Sequence, residues 1–165
     1  MIRKAELNDL PAIMEITHSV VVMMQSSGNE QWDENYPQAK DFIQDIQRRD
    51  LYCYERKGKL AAFVCVNKIE PIEYYELSWS LKEQGMIIHR MAVDPQYQRK
   101  GLSIELLEFA ECLAKANDIR YLKTDTNSRN EKMRSLFNKK GYRFVGEIHF
   151  SGKSDPYYCY EKVLV

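Results

Sequence analysis

The stretch of residues 86–117 constrains this chain more than any other. Met86-Ile87-Ile88-His89-Arg90-Met91-Ala92-Val93 is mostly apolar on both faces, as expected of a strand in the covered centre of a sheet. Asp94-Pro95 stops it, because proline brings no N–H to a ladder. A helix follows from about Gly101: Leu102, Leu106, Phe109, Leu113 and Ala116 recur at helical steps, and Leu107, Ala110 and Ala114 widen the face. Between strand and helix lies Gln98-Arg99-Lys100-Gly101-Leu102-Ser103. The first N–H groups of a helix have no partner within it and carry the positive end of its dipole. Such a turn suits a phosphate or pyrophosphate. Gly101 allows close backbone approach, and Arg99 and Lys100 add positive charge. Strand–turn–helix units with a junction glycine are common, so a plain turn accounts for these residues equally well.

The elements around this unit follow from pattern. Met1–Ala5 reads as a short strand, with Asn8 as a cap for a helix bearing Leu10, Ile13, Met14, Thr17, Val20, Val21 and Met24 on one face. Pro37 suits the first position of a second helix with Ala39, Phe42, Ile43 and Ile46 inward. Leu51–Arg56 and Leu60–Asn67 read as a hairpin turning at Lys57-Gly58-Lys59. Glu70–Trp79 mixes rings and acids without period and reads as a loop or irregular strand. Tyr121–Asp125 is a strand, parallel to the central one if the helix between them is a crossover. Met133, Leu136 and Phe137 mark a short helix ended by Gly141, and Tyr142–Phe150 and Tyr157–Val163 a last pair of strands.

Composition narrows the function. At 165 residues, the chain is expected to form one domain, 1–165, with a full core. Lys plus Arg and Asp plus Glu are both 24, a balance unlike the basic faces that nucleic acid selects. No apolar run approaches the roughly eighteen residues of a membrane span, and Met1–Glu6 lacks the apolar core of a signal peptide. Cys53, Cys65, Cys112 and Cys159 stand far apart, without metal-ligand spacing. Reduced thiols in a cytoplasmic protein are the simplest account, and no metal is expected.

A second stretch sharpens the reading. Asn130-Glu131-Lys132-Met133-Arg134-Ser135-Leu136-Phe137-Asn138-Lys139-Lys140-Gly141-Tyr142, together with Ala92-Val93-Asp94-Pro95 and the turn at 98–103, resembles the GNAT superfamily of acetyl-CoA-dependent N-acetyltransferases. The family's pyrophosphate loop reads Gln/Arg-x-x-Gly-x-Gly/Ala, and its downstream motif Asn-x-x-Ala-x-x-Leu-Tyr-x-Lys-x-Gly-Phe. The resemblance is most specific over residues 86–150. It implies an α/β (mixed α+β) fold: a central, largely antiparallel sheet of about six to seven strands with a splayed parallel pair, flanked by about four helices.

The resemblance also implies roles. Gln98, Arg99, Lys100, Gly101, Leu102 and Ser103 would hold the cofactor diphosphate. Asn130 would bind the pantetheine arm, or cap the short helix, or both. A bulge would free backbone groups of Met91, Ala92 and Val93 for the cofactor, one of them a donor to the thioester oxygen. Three residues depart from the family pattern. Ser103 stands for a Gly or Ala, and Met133 for a small residue. Phe137 stands for the tyrosine that in many members protonates the leaving thiolate, and phenylalanine has no proton to give.

The expected reaction is direct attack of a primary amine on the acetyl carbonyl of acetyl-CoA in a ternary complex. An amine of pKa ~10.4 is only about one part in a thousand neutral near pH 7.4. A base is therefore useful. His89, on the central strand, is the candidate, because imidazole titrates in the right range. Glu73 and Glu76 are alternative bases or plain solvated charges. Trp32, Tyr36, Tyr74, Tyr75 and Trp79, with acids nearby, would suit a cationic, partly apolar acceptor, whether small molecule or peptide N-terminus. Trp32 and Tyr36 would equally serve as an aromatic lid on the core. A non-catalytic acyl-CoA sensor is the alternative function, argued by Phe137. A nucleotide-binding module is less consistent, since it leaves the Asn130 stretch unexplained. Members of the family often pair as homodimers, but no interface is marked in this sequence.

Overall fold

The computed structural model describes residues 1–165. One seven-stranded sheet has the order β1-β2-β3-β4-β5-β7-β6. Its strands are β1 (Ile2–Lys4), β2 (Leu51–Arg56), β3 (Lys59–Asn67), β4 (Met86–Val93), β5 (Tyr121–Asn127), β6 (Arg143–Ile148) and β7 (Tyr157–Val163). The helices are α1 (Leu10–Ser26), α2 (Ala39–Gln47), α3 (Leu102–Ala116) and α4 (Glu131–Lys139). The sheet is mostly antiparallel, with β4 and β5 the parallel pair: Met86 lies opposite Leu122, Ile87 opposite Lys123 and Ile88 opposite Thr124. This is the mixed sheet expected from the β4–α3–β5 pattern.

The chain forms two compact units. The first comprises Met1–Val66 and His89–Leu106, the second Asn67–Ile88 and Leu107–Val165. In the first, Ile13, Ile16 and Val20 of α1 and Phe42 and Ile46 of α2 join Leu51, Cys53 and Phe63 in an apolar core. Phe42 meets Phe63 edge-on at 5.2 Å, the arrangement that ring quadrupoles favour. In the second, Tyr74, Ile87, Ile148, Tyr157 and Cys159 form the core. All four cysteines are free thiols, and Cys112 alone is exposed. No helix is long and apolar enough to cross a membrane.

Local departures from the expected elements have local causes. Asn8 does not cap α1. A 3-10 turn, Leu7–Asp9, precedes that helix, and the Glu6 N–H donates to Asp9 Oδ2 at 2.7 Å. Asp9 is held in turn by Arg3, 2.8 Å away. Pro37 likewise stands before α2 rather than at its first position. Gln38 takes the cap, its N–H donating to Asp41 Oδ2 at 2.7 Å. The 70–79 stretch, which has no period, contains a 3-10 turn at Ile72–Glu76. β5 runs two residues past the expected end, to Asn127, because β7 pairs with it along its whole length.

Candidate functional site

In the first unit, β4 ends at Val93 and the chain turns at once. The Asp94 side chain accepts from the Gln96 N–H at 3.0 Å and starts a 3-10 turn, Pro95–Tyr97. Gln98 reaches back, its Nε2 donating to the Val93 carbonyl at 3.4 Å. Arg99 and Gly101 then both take positive φ, 61° and 80°. That conformation is natural to glycine but uncommon for arginine. A non-glycine residue held there is a local cost that clusters at ligand sites.

The first α3 bond is donated by the Glu105 N–H to the Gly101 carbonyl, at 3.1 Å. The N–H groups of Leu102, Ser103 and Ile104 come before it and have no helical acceptor. Leu102 is buried and pins the start of the helix, while Arg99, Lys100 and Gly101 are exposed. Neither cation has a carboxylate partner, and Lys100 lies 5.4 Å from the Tyr97 ring centroid. A Cβ added at Gly101 would meet no atom within 4 Å, so the space over this turn is open. Donors without acceptors, two unneutralised cations and open space are what a diphosphate needs.

On β4 itself, His89 and Met91 are half-buried, and Ala92 and Val93 are buried. Arg90 forms a two-pronged ion pair with Asp45 of α2: Nε to Oδ2 at 2.7 Å and Nη2 to Oδ1 at 2.6 Å. Its Nη1 donates to the Tyr36 hydroxyl at 2.7 Å. The structure thus brings Tyr36 to β4 through Arg90, a link that sequence pattern did not reveal. Trp32 is 3 % exposed and lies parallel to Phe63 with centroids 6.3 Å apart, so its ring packs in the core of this unit.

In the second unit, Asn130 caps α4, its side chain accepting from the Met133 N–H at 3.2 Å. Phe137 is buried between Tyr160 and Tyr142, with centroids 5.1 and 5.5 Å away. The 70–79 segment lies on the face of β5 that carries Tyr121, Lys123 and Asp125. Tyr74 is fully buried, and its hydroxyl donates to Asp125 Oδ1 at 2.6 Å. Trp79 Nε1 donates to the Tyr74 carbonyl at 2.7 Å, and the two rings are 5.1 Å apart. Lys123 pairs with Glu70 and lies 4.5 Å from the Trp79 ring centroid. Tyr75 and Glu76 are exposed, and Glu73 is half-buried. Tyr74 and Trp79 therefore stand together, with Tyr75 facing out.

Asp125 is the residue that sequence reasoning missed. Burial pushes its carboxyl up to about 6, with the Glu73 charge adding to the rise and the Tyr74 hydrogen bond opposing it. Glu161, on β7, behaves oppositely. Burial would raise it, but hydrogen bonds from Ser80, Tyr121 and Arg143 outweigh that and bring it down to about 2.

Comparison with known proteins gives a consistent picture. Residues 17–142 match the profile of the family described as Acetyltransferase (GNAT) family. YesJ of Bacillus subtilis strain 168, an uncharacterized N-acetyltransferase, is 22 % identical over 93 % of this chain and 88 % of its own length. A GNAT-family acetyltransferase structure from Streptococcus agalactiae 2603 superposes with a TM-score of 0.88 at 24 % identity, covering 100 % of this chain and 95 % of that one. The structure of yncA from Salmonella typhimurium, a proposed acetyltransferase solved with its cofactor acetyl-CoA, gives a TM-score of 0.72 at 15 % identity, covering 100 % and 94 %.

Proposed function

Because this chain belongs to the acetyltransferase (GNAT) family, we propose that it moves the acetyl group of acetyl-CoA to a primary amine by direct attack. The turn at 98–103 carries the reading. Its left-handed Arg99 and Gly101, followed by helix-opening N–H groups without acceptors, make a cradle for the coenzyme A diphosphate. Gln98, Arg99, Lys100, Gly101, Leu102 and Ser103 are the proposed contacts, and Asn130 is the proposed contact for the pantetheine arm. A backbone donor from Met91, Ala92 or Val93 would hold the thioester oxygen, where negative charge builds as the amine attacks.

The acceptor nitrogen arrives as an ammonium and must lose two protons. His89 is the candidate to take one of them; Glu73 and Glu76 are alternatives. Phe137 has no acidic proton, so protonation of the departing thiolate falls to solvent. Coenzyme A thiolate is an adequate leaving group without an acid, because a thiol ionises within a unit or two of neutral pH. Tyr36, Tyr75 and Trp79 would favour an acceptor with a positive charge and an apolar body, while Tyr74, fully buried, would act by holding Asp125 and the Trp79 indole. Trp32, held in the core, would act by supporting the Tyr36 segment.

Thiol release from acetyl-CoA over a panel of amines tests the proposal. An amine-dependent rate above the water blank, with acetylated product by mass spectrometry, supports it. Acetyl-CoA binding without transfer to any amine would favour a sensor.

A further inference from the structure

We propose that Asp125 accepts the first proton of the acceptor's ammonium group; this rests on the amine-acetyltransferase reading above. The geometry of the second unit carries the assignment. β4 and β5 are paired through Ile88 and Thr124, and the Thr124 hydroxyl donates to the Ile88 carbonyl at 2.9 Å. Asp125 is the next residue on β5, one step past this ladder. One of its oxygens, Oδ1, is held by the buried Tyr74 hydroxyl. The other, Oδ2, takes no hydrogen bond from the protein and is not sealed from solvent.

The groups around Asp125 leave it without a counter-ion. From the 70–79 segment it faces the Tyr74 hydroxyl and the Glu73 carboxylate. From β7 it faces Cys159, directly across the ladder. On its own strand Lys123 is two residues away, but that ammonium is committed to Glu70 and to the Trp79 ring. A partly buried carboxylate with a fixed orientation, a free oxygen and no cation is a place for a cation from outside. Burial raises its proton affinity into the range where it exchanges protons near neutral pH.

The 70–79 segment is fitted to the sheet closely enough to fix that orientation. Leu77 packs over Gly146 of β6, where a Cβ would come within 2.9 Å of the leucine methyl. A Cβ there would oblige the Leu77 side chain to shift, so the glycine lets this segment, which also carries Tyr74, lie close on the sheet.

In the proposed step, an N–H bond of the ammonium breaks and the proton passes to Asp125 Oδ2, leaving a neutral amine. The nitrogen lone pair forms the C–N bond at the acetyl carbonyl. On collapse the C–S bond breaks and its electron pair leaves with sulfur. The second nitrogen proton leaves by way of His89 and solvent and ends on that thiolate, and Asp125 returns its own proton to water.

The test is the pH dependence of coenzyme A thiol release from acetyl-CoA, over about pH 5–9, with tyramine, putrescine, lysine and an alanyl peptide as probes. In the parent, kcat/KM falls on the acid side with a midpoint near pH 6. Asp125→Asn lowers kcat about 100- to 1000-fold while the KM for acetyl-CoA holds. Tyr74→Phe stays active but moves the acid limb to higher pH, because the lost hydrogen bond had favoured the carboxylate. A purely structural Asp125 would not show that displacement. Should Asp125→Asn fail to fold, Asp125→Glu and Tyr74→Phe carry the same test. Turnover in Asp125→Asn within about twofold of the parent overturns the assignment while leaving the acetyltransferase reading intact. An acid limb unmoved in Tyr74→Phe has the same effect. Acetyl-CoA binding with no transfer to any probe overturns both.

Discussion

The Tyr74 hydroxyl and Asp125 Oδ1 lie 2.6 Å apart, 51 residues distant in sequence. The pair joins a segment without periodicity to the end of a strand, and it leaves a half-buried carboxylate ionised at neutral pH beside a largely apolar core. This arrangement has a stability cost with a definite sign. A carboxyl whose folded pKa is raised from 3.8 to about 6 binds its proton more tightly in the folded state. The stability it confers is present below pH 3.8 and is lost as pH rises through about 6. Asp125→Asn removes the charge and keeps an acceptor for Tyr74. At pH 7.5 it is expected to stabilise the fold by roughly 1–3 kcal/mol, a gain that disappears near pH 4. Melting curves at the two pH values check this, and a variant no more stable than the parent at pH 7.5 would contradict it.

Glu161 has the opposite sign. Its folded pKa is lowered to about 2 from 4.5, so its stabilisation is present above pH 4.5 and is lost as pH falls through about 2. Glu161→Gln is expected to lower the melting temperature at pH 7 and to approach the parent at low pH. An equal deficit at both would assign its effect to packing instead.

Asp45 is 1 % exposed, and its only cation is Arg90. Asp45→Ala leaves a guanidinium with 18 % side-chain exposure unpaired, and loss of one member of such a pair costs about 3–5 kcal/mol. Urea denaturation is expected to show that loss as a lower midpoint at unchanged slope. Because Arg90 also holds Tyr36, the KM for the amine is expected to rise. A variant with parental stability would show that the pair contributes no net stabilisation.

His89→Ala is expected to lower kcat about 10- to 100-fold with the affinity for acetyl-CoA unchanged. Steady-state rates on an active amine, beside calorimetry with acetyl-CoA, separate the two quantities. Parental kcat would remove His89 from the reaction.

The parts of the molecule that were legible in the sequence are those written in local pattern. β4 is a continuous apolar run and α3 an apolar stripe, so both have the expected bounds within a residue or two. The 98–103 turn was legible because its glycine and cations sit at a strand–helix junction. The 70–79 segment was not, because tertiary contacts hold it: Tyr74 on Asp125, Leu77 on Gly146 and Glu70 on Lys123. Asp125 and Asp45 escaped notice for the same reason. Each sits in an otherwise ordinary strand or helix, and only the packed fold takes Asp45 out of water and Asp125 partly so. Asn8 and Pro37 were misplaced because Asp9 and Asp41 accept the N–H groups of Glu6 and Gln38, each three residues earlier, and so fix the caps there instead.

The central claim is that the backbone of 98–103 holds the coenzyme A diphosphate, and calorimetry with acetyl-CoA on the parent and on Gly101→Asp tests it most directly. A Cβ at Gly101 meets nothing within 4 Å, and aspartate tolerates the left-handed conformation better than most residues, so the variant should fold. The account predicts binding by the parent and a loss of at least tenfold in affinity in the variant, since a carboxylate would stand against the diphosphate. Equal affinity for acetyl-CoA in the two proteins would contradict it.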